Sequence, residues 1–212
     1  MPPRYSREIT RPVVLGAQLK EQFRTSPCET SCPIGNSIQK MNSLIEKGQF
    51  TEALRYLRAK NPFPGITGRI CPHFCMDACN RKEMDGCLNI RALERAAETF
   101  AERGNAFFKR RPATGKKAAV IGGGPAGLTA AYFLALLGHE VTIYEAEPLL
   151  GGVPRYGVPN FRLPRDVVDR EVGLVLEAGV RACVNTRAGV DITMQELSAR
   201  YDAVIVATGV PA

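Results

Sequence analysis

The chain has 212 residues, enough for one or two domains, each with its own buried core. Its 45% hydrophobic and 23% charged residues are typical of a soluble globular protein, and no apolar run approaches the roughly 18 residues of a membrane span. The N-terminal residues carry charge without an apolar run, so we expect no secretory signal and a cytoplasmic location. The formal net charge of +7 is spread along the sequence, which does not favour nucleic-acid binding.

The first part of the chain predicts a small helical domain over residues 26–108. Residues 1–25 show little periodicity and are expected to form an N-terminal arm, either extended or with one helical turn. From 36 to 60 the apolar residues recur at helical spacing and Gly48 interrupts them, which predicts two short helices in a hairpin. A proline-rich stretch ends the second helix. A third helix is predicted over 89–108.

The second part of the chain predicts an incomplete Rossmann-type α/β domain over residues 118–212, behind a basic linker over 109–117. Within 118–144 an apolar strand, a helix and a second strand follow one another. This is a β-α-β unit, in which parallel strands need a crossover helix. A further helix is predicted over 165–178 and a further strand over 203–206. The fold class is therefore a helical domain followed by an α/β domain.

A glycine-rich loop lies between the first predicted strand and helix of this α/β domain. Its sequence, Gly122-Gly-Gly124-Pro125-Ala126-Gly127, fits the G-x-G-x-x-G pattern. In that pattern the first glycine makes a tight turn, the second lets backbone approach a pyrophosphate, and the third lets the helix pack close to the strand. The helix N-terminus then directs N–H groups at the phosphates. The alternative is that the glycines only shape a turn.

Three further features predict which dinucleotide binds. Glu145 ends the second strand, 18 residues beyond Gly127, where a carboxylate binds an unphosphorylated ribose, as in FAD or NAD. Gly151-Gly152 and Thr208-Gly209 add two more places where backbone can pass close to a cofactor. Three such approaches suit a long dinucleotide held along its length, which favours FAD.

Six of the seven cysteines are clustered in the helical part. They are Cys28, Cys32, Cys71, Cys75, Cys79 and Cys87. Clustered cysteines in a reducing compartment indicate metal or redox chemistry, and the prolines after Cys32 and Cys71 are typical of ferredoxin-type iron–sulfur sites. The alternatives are a structural zinc site, which needs four ligands, and disulfides. His73 is predicted to hydrogen bond locally, and Cys183 to be a buried thiol.

The sequence resembles a family of flavoproteins from position 26 onward. The resemblance is carried by residues 27–33, 61–79 and 151–164, together with the glycine loop and Ala207-Thr208-Gly209. They are similar to the N-terminal half of the small (β) subunit of glutamate synthase. The same module occurs in the N-terminal region of dihydropyrimidine dehydrogenase and in the large subunit of NADH-dependent ferredoxin:NADP oxidoreductase.

This resemblance implies an α-helical domain with two [4Fe–4S] clusters, followed by an FAD domain that a nicotinamide-binding domain interrupts. Carried over, Cys32, Cys71 and Cys75 hold one cluster. The fourth ligand in relatives is a side chain on the following helix, where Glu94 stands in this sequence.

The second cluster is doubtful in this chain. The resemblance assigns Cys28 and Cys79 to it, but relatives carry a further Cys-x2-Cys just before Cys28. Here that region reads Lys20-Glu-Gln-Phe-Arg24, so two ligands are missing. Cys87 is an additional thiol that could replace Glu94 or serve elsewhere. We therefore predict one cluster.

The resemblance also implies where the flavin and the nicotinamide bind. The segment from Gly152 to Pro164 would line the isoalloxazine ring. Arg155, which lies in this segment, is predicted to bind FAD. The sequence stops just after Gly209, where relatives continue into their nicotinamide domain. We expect NAD(P)H to bind through a missing domain or a partner.

These observations predict an electron-transfer subunit, or a fragment of one, of an oxidoreductase that passes electrons between NAD(P)H, FAD and [4Fe–4S] centres. Its expected partners are other redox subunits of a complex, with a ferredoxin-like protein as one candidate, and no nucleic acid. No side chain is an obvious catalytic acid or base. The alternatives are a zinc-stabilised nucleotide-binding scaffold without redox activity and a DNA-binding helical hairpin.

Overall fold

The computed structural model describes residues 25–102 and 110–209, together with the backbone of two short strands nearer the N-terminus. The strands are β1 (Val13–Leu15), β2 (Gln18–Lys20), β3 (Lys117–Ile121), β4 (Glu140–Tyr144), β5 (Arg181–Cys183) and β6 (Ala203–Val206). The helices are α1 (Pro27–Thr30), α2 (Ile38–Glu46), α3 (Phe50–Arg58), α4 (Pro64–Ile70), α5 (Phe74–Asp77), α6 (Ile90–Phe100), α7 (Pro125–Leu136), α8 (Val153–Tyr156), α9 (Arg165–Glu177) and α10 (Met194–Arg200). None of these helices is long and apolar enough to cross a membrane. The chain divides into two compact units.

Unit 1 consists of the described residues up to Asn61 and of Cys71–Ala101. Its core lies between α2, α3 and α6, each of which turns an apolar face inward. The buried core residues are Ile38, Met41, Leu44, Ala53, Leu57, Ile90 and Ala97. The helical hairpin predicted for residues 36–60 is therefore confirmed.

The two ends of unit 1 differ in part from the predictions. The Asn89 side chain accepts a hydrogen bond from the Ala92 N–H at 3.1 Å, and this cap fixes the start of α6. The helix ends at Phe100 because Ala101 is extended, and the predicted continuation over 103–108 lies outside the described residues. Near the N-terminus β1 and β2 pair in antiparallel fashion, so this part of the predicted arm is not a helical turn.

Unit 2 is built on a parallel four-stranded sheet with the order β5-β4-β3-β6. In the register of the sheet, Ile121 at the end of β3 lies opposite Tyr144 at the end of β4 and Val206 at the end of β6. The carboxyl ends of these three strands therefore meet at one edge, where open α/β sheets bind their ligands. The predicted β-α-β unit is confirmed, with α7 as its crossover helix.

Several short elements of unit 2 were not predicted. Strand β5 has only three residues, and it makes Cys183 a partly buried strand residue rather than the buried thiol expected from the sequence. Helix α10 begins with a capping box, in which Thr193 and Glu196 bond each other's backbone N–H groups. Helix α8 has four residues and follows Gly152 directly.

Helix α4 belongs to unit 2, although the sequence analysis placed residues 62–70 within the helical domain. Phe63 and Ile66 are buried in the main hydrophobic core of unit 2. The N–H of Gly65 donates a hydrogen bond of 2.6 Å to Oε1 of Glu171 on α9, a side chain that is 0% exposed. The chain thus leaves unit 1 after Asn61 and returns to it at Cys71, the residue after Ile70.

Candidate functional site

The predicted glycine loop connects β3 to α7 at the carboxyl edge of the sheet. Gly124 is the N-cap of α7 and Pro125 its first residue, an arrangement that leaves the helix N-terminus open to an anion. Gly122 has a φ of +107°, and a Cβ on it would lie only 2.2 Å from the carbonyl oxygen of Ala207. Glycine is thus required here, because the loop passes against the chain that follows β6.

The second predicted approach, Gly151-Gly152, lies against the same loop. The N–H of Gly151 donates a hydrogen bond of 2.8 Å to the carbonyl of Gly123. Gly152 has a φ of +54°, and a Cβ on it would lie 2.7 Å from the Cα of Gly124. Two glycine segments are therefore packed backbone to backbone, which leaves no room for a side chain between them.

The third predicted approach follows β6 and lies at the same edge. Ala207 donates a backbone hydrogen bond of 2.8 Å to Ile121, the last residue of β3. Thr208 and Gly209 come next, and both are exposed. The structure therefore brings together the three segments that the sequence singled out separately.

Glu145 reaches from the end of β4 into the glycine loop. Its Oε2 accepts a hydrogen bond of 2.5 Å from the N–H of Gly123, and its Oε1 accepts one of 2.9 Å from Glu147. An ionised carboxylate has about four lone-pair positions. These two bonds therefore fix the orientation of Glu145 and still allow it to accept ribose hydroxyls.

Arg155 is predicted to bind the cofactor, and the structure shows what else it contacts. The side chain is 8% exposed, donates to the carbonyl of Leu150 and forms an ion pair with Asp169 on α9. It also lies beside Gly151, where a Cβ would meet its side chain at 3.0 Å. Arg155 thus fastens the glycine segment to α9 from within unit 2.

In unit 1 the predicted cluster ligands come from three short stretches. Cys32 follows α1, Cys71 and Cys75 flank the start of α5, and Glu94 lies on α6. The N–H of His73 donates to Sγ of Cys71 at 3.3 Å. The backbone of His73 is left-handed, with a φ of +56°. The backbone between two predicted ligands therefore turns so that its N–H faces sulfur, as at iron–sulfur sites.

These four groups influence one another electrostatically. Burial, followed by the charges of Cys32, Cys71, Glu94 and Cys28 in decreasing order, raises the pKa of the Cys75 thiol to about 12. Burial also raises the pKa of Cys71, whereas the His73 N–H lowers it. Anionic donors so close to one another need a cation or a cationic cluster between them to be stable together.

The neighbours of Cys71 extend this picture. After burial and the His73 N–H, its pKa is raised by the charge of Glu94 and then of Cys32, and lowered by that of Arg91. Arg91 was not singled out from the sequence, and Asn61 was named only as the start of a stretch that carries the family resemblance. Asn61 Nδ2 donates a hydrogen bond of 2.8 Å to Oε1 of Glu94.

The remaining predicted ligands are less closely connected. Cys28 contacts the Ser26 hydroxyl at 3.1 Å and contributes to the surroundings of Cys75. Cys79 and Cys87 are not among the groups that shift the pKa of Cys71 or Cys75, and Cys87 is exposed. Within residues 25–102 and 110–209, no three His, Cys, Asp or Glu side chains are placed to hold a single metal ion. A cubane cluster is wider than one ion, so its ligands stand farther apart.

His73 was predicted to form a local hydrogen bond, and it does so through its backbone. Its ring Nδ1 is buried and has no hydrogen-bond partner among the described residues. The side chain therefore does not explain why histidine stands at this position.

Each half of the chain matches a known protein family. Residues 17–105 match the family described as dihydropyrimidine dehydrogenase domain II, 4Fe-4S cluster. Residues 120–183 match the NAD(P)-binding Rossmann-like domain. The chain is therefore a helical 4Fe-4S domain followed by a Rossmann-like dinucleotide-binding domain.

Relatives give the family more closely. The chain is 40% identical over 185 residues to the glutamate synthase [NADPH] small chain of Bacillus subtilis, 39% over 213 residues to the NADP(+)-dependent formate dehydrogenase subunit beta of Moorella thermoacetica, and 39% over 189 residues to the NADPH-Fe(3+) oxidoreductase subunit beta of Geobacter sulfurreducens. These matches cover 85%, 90% and 87% of this chain. Over most of its length the chain is therefore similar to glutamate synthase small subunits and related β subunits.

The match covers only part of each relative. The chain spans 37% of the B. subtilis protein, 30% of the M. thermoacetica protein and 28% of the G. sulfurreducens protein. It therefore corresponds to a limited portion of these larger redox subunits.

Proposed function

We propose that this chain is the electron-transfer part of an FAD- and iron–sulfur-containing oxidoreductase that is linked to NAD(P)H. The observation that supports the proposal is that three thiols and Glu94 influence one another in unit 1, in a chain whose unit 2 brings three glycine segments together at one edge of its sheet. A bound flavin can exchange two electrons with a nicotinamide and single electrons with a cluster.

FAD is the dinucleotide that the site in unit 2 supports best. The loop at Gly122–Gly127 and the N-terminus of α7 would bind the pyrophosphate. Glu145 would accept the hydroxyls of an unphosphorylated ribose, since its negative charge repels a 2′-phosphate. Gly151-Gly152 and Thr208-Gly209 would contact the cofactor farther along its length.

The four converging groups of unit 1 would hold one [4Fe–4S] cluster. Cys32, Cys71 and Cys75 would supply thiolates and Glu94 a carboxylate oxygen. Burial raises the pKa of the Cys75 thiol, which would have to release its proton when iron binds. The Arg91 charge and the His73 N–H would stabilise the thiolate of Cys71.

A second cluster is not part of the proposal. Cys28 and Cys79 are the two thiols that would serve it, and the sequence supplies no cysteine pair before Cys28. Cys87 is exposed and is not among the groups that shift the pKa of Cys71 or Cys75, so it is not one of the proposed ligands.

The donors, acceptors and partners of the complete protein follow from the relatives by analogy. NAD(P)H would bind through a further domain or a partner subunit. The names of the relatives indicate subunits of larger redox enzymes, so we propose other redox subunits, including a ferredoxin-like one, as partners. The proposed location is the cytoplasm, where the thiols stay reduced.

The proposal is tested by the cofactor content of anaerobically purified protein. We expect iron, acid-labile sulfide and FAD, with broad visible absorbance beneath the flavin bands. Cys71→Ser should remove most of the iron and leave the FAD, because Cys71 lies in unit 1 and the flavin site in unit 2. Cys183→Ser is the matched control and should retain both cofactors. A colourless protein that carries zinc, or a Cys71→Ser spectrum identical to the parent's, would refute the proposal.

A further inference from the structure

We propose that Asn61 is a positioning residue for the cluster, which orients the Glu94 carboxylate for iron and raises the reduction potential of the cluster. This inference rests on the proposed function, because it takes Glu94 to be the fourth ligand. It adds a residue that acts on the metal site without touching the metal.

The geometry of the Asn61–Glu94 pair is that of a buried polar contact between distant parts of the chain. The two residues are 33 positions apart, and the Nδ2···Oε1 distance is 2.8 Å. Asn61 is 3% exposed and Glu94 is 8% exposed, so water does not weaken the bond. A charge-assisted hydrogen bond of this kind is about twice as strong as one between neutral groups.

Asn61 is itself held in place by the backbone. Its N–H donates a hydrogen bond of 2.8 Å to the carbonyl of Leu57, one turn earlier in α3. Pro62 follows, and a proline restricts the backbone of the residue before it to extended conformations. The side-chain amide therefore projects from a fixed point, as an orienting group must.

Glu94 needs such an orienting group because a glutamate side chain can rotate about several bonds, and only some of its positions would direct a carboxylate oxygen at iron. The hydrogen bond from Asn61 fixes Oε1 and with it the direction of the other carboxylate oxygen. Since a carboxylate can accept about four hydrogen bonds or metal contacts, the bond from Asn61 is compatible with an iron bond.

The sign of the effect on the potential follows from charge. Reduction adds an electron to the cluster and its ligands, and an N–H donor stabilises that added negative charge. Removing the donor should therefore lower the potential. Removing the charge of Glu94 should raise it.

The test measures the midpoint potential and the electron paramagnetic resonance spectrum of the reduced cluster in the cofactor-loaded protein. Asn61→Leu removes the donor, and Asn61→Asp also adds a negative charge. We expect both variants to lower the potential, Asn61→Asp by roughly tenfold in the one-electron equilibrium constant, which is about 59 mV. Glu94→Gln should shift it in the opposite direction.

Asn89→Asp is the matched control. It makes the same change of charge at the exposed start of α6, and an aspartate there still caps the helix. Because solvent and salt screen exposed charges, it should leave the potential and the spectrum close to those of the parent.

A double-mutant cycle separates positioning from a general structural role. Glu94→Ala removes the carboxylate that Asn61 orients and leaves no acceptor in its place, so Asn61→Leu should no longer change the potential in that background. An equal shift with and without Glu94 would overturn the proposal.

The outcomes distinguish this inference from the proposed function. A parent protein without iron would refute the proposed function. If the parent protein carries a normal cluster and the Asn61 variants have the same potential and spectrum as the parent, only the inference is refuted. If the Asn61 variants lose iron but keep the helical circular dichroism of the parent, the ligand-orienting role is supported. If they unfold, the role of Asn61 is stability and the inference is wrong.

Discussion

Gly152 is one of the residues on which the shape of the glycine-lined site directly depends. Its left-handed φ and its approach to the Cα of Gly124 both exclude a side chain. We expect Gly152→Ala to push the two glycine segments apart and to weaken FAD binding at least tenfold. Titration of the apoprotein with FAD, followed by flavin fluorescence, measures this.

Gly173 provides the control for that substitution. It lies inside α9, and a Cβ built on it meets nothing within 4 Å. Gly173→Ala should leave FAD affinity unchanged and stabilise the protein by about 0.5–1 kcal/mol, because alanine favours a helix interior over glycine. Equal FAD affinity in the two variants would show that the close approach at Gly152 does not shape the site.

At the scale of elements, α4 depends on one buried carboxylate. Glu171 is fully buried on α9 and accepts the hydrogen bond of Gly65 at the start of α4. Glu171→Ala would remove the acceptor from a buried N–H, which costs about 1–3 kcal/mol. We expect faster amide hydrogen exchange at Gly65 and a lower free energy of unfolding.

The matched control lies on the same helix. Glu177 is an exposed residue at the end of α9, and Glu177→Ala should change neither quantity appreciably. If exchange at Gly65 were the same in both variants, Glu171 would not be the anchor of α4.

Two tyrosines connect β4 with the chain after α10. The hydroxyls of Tyr144 and Tyr201 are 2.9 Å apart. Burial, then the hydrogen bond to Tyr201, raises the pKa of Tyr144 to about 12 from its usual 10.0. An acid with a raised folded-state pKa binds its proton more tightly when folded, so this contribution to stability is present below about pH 10 and is lost as the pH rises towards 12.

Tyr201→Phe tests this assignment. It removes the hydrogen-bond partner that favours the neutral phenol, so the pKa of Tyr144 should fall while burial keeps it above 10. Ultraviolet absorbance of the phenolate as a function of pH measures the shift. An unchanged titration would mean that the tyrosine pair does not stabilise the neutral form.

At the scale of the whole molecule, the proposed ligands tie together elements that are too short to be stable alone. Helices α1 and α5 have four residues each, far fewer than an isolated helix needs in water. Removing iron with a chelator should therefore raise amide exchange in α1 and α5, whereas β3 and β4 of unit 2 should exchange as before. Uniform exchange before and after chelation would show that the cluster does not stabilise unit 1.

The order of domains and the dinucleotide loop were predictable because both have local signals. The change from helical to strand periodicity marks unit 2, and the glycines of 122–127 stand between a strand and a helix. The pairing of Asn61 with Glu94 had no such signal, because it joins residues 33 positions apart through tertiary packing. Helix α4 was missed because its prolines and glycines are typical of a helix end. Helix α10 was also missed, although the residues of its capping box are adjacent enough in the sequence to indicate a helix start.

Because α4 belongs to unit 2, the chain cannot be divided cleanly at a single position. The basic stretch before β3 looks like a natural cutting point between modules, yet a piece excised there would carry Phe63 and Ile66 away from the core that buries them. Such a piece would display apolar surface and tend to aggregate. The remaining Rossmann module would lack these two side chains, so part of its hydrophobic core would be exposed. A functional transplant of the Rossmann module should instead include residues 62–70.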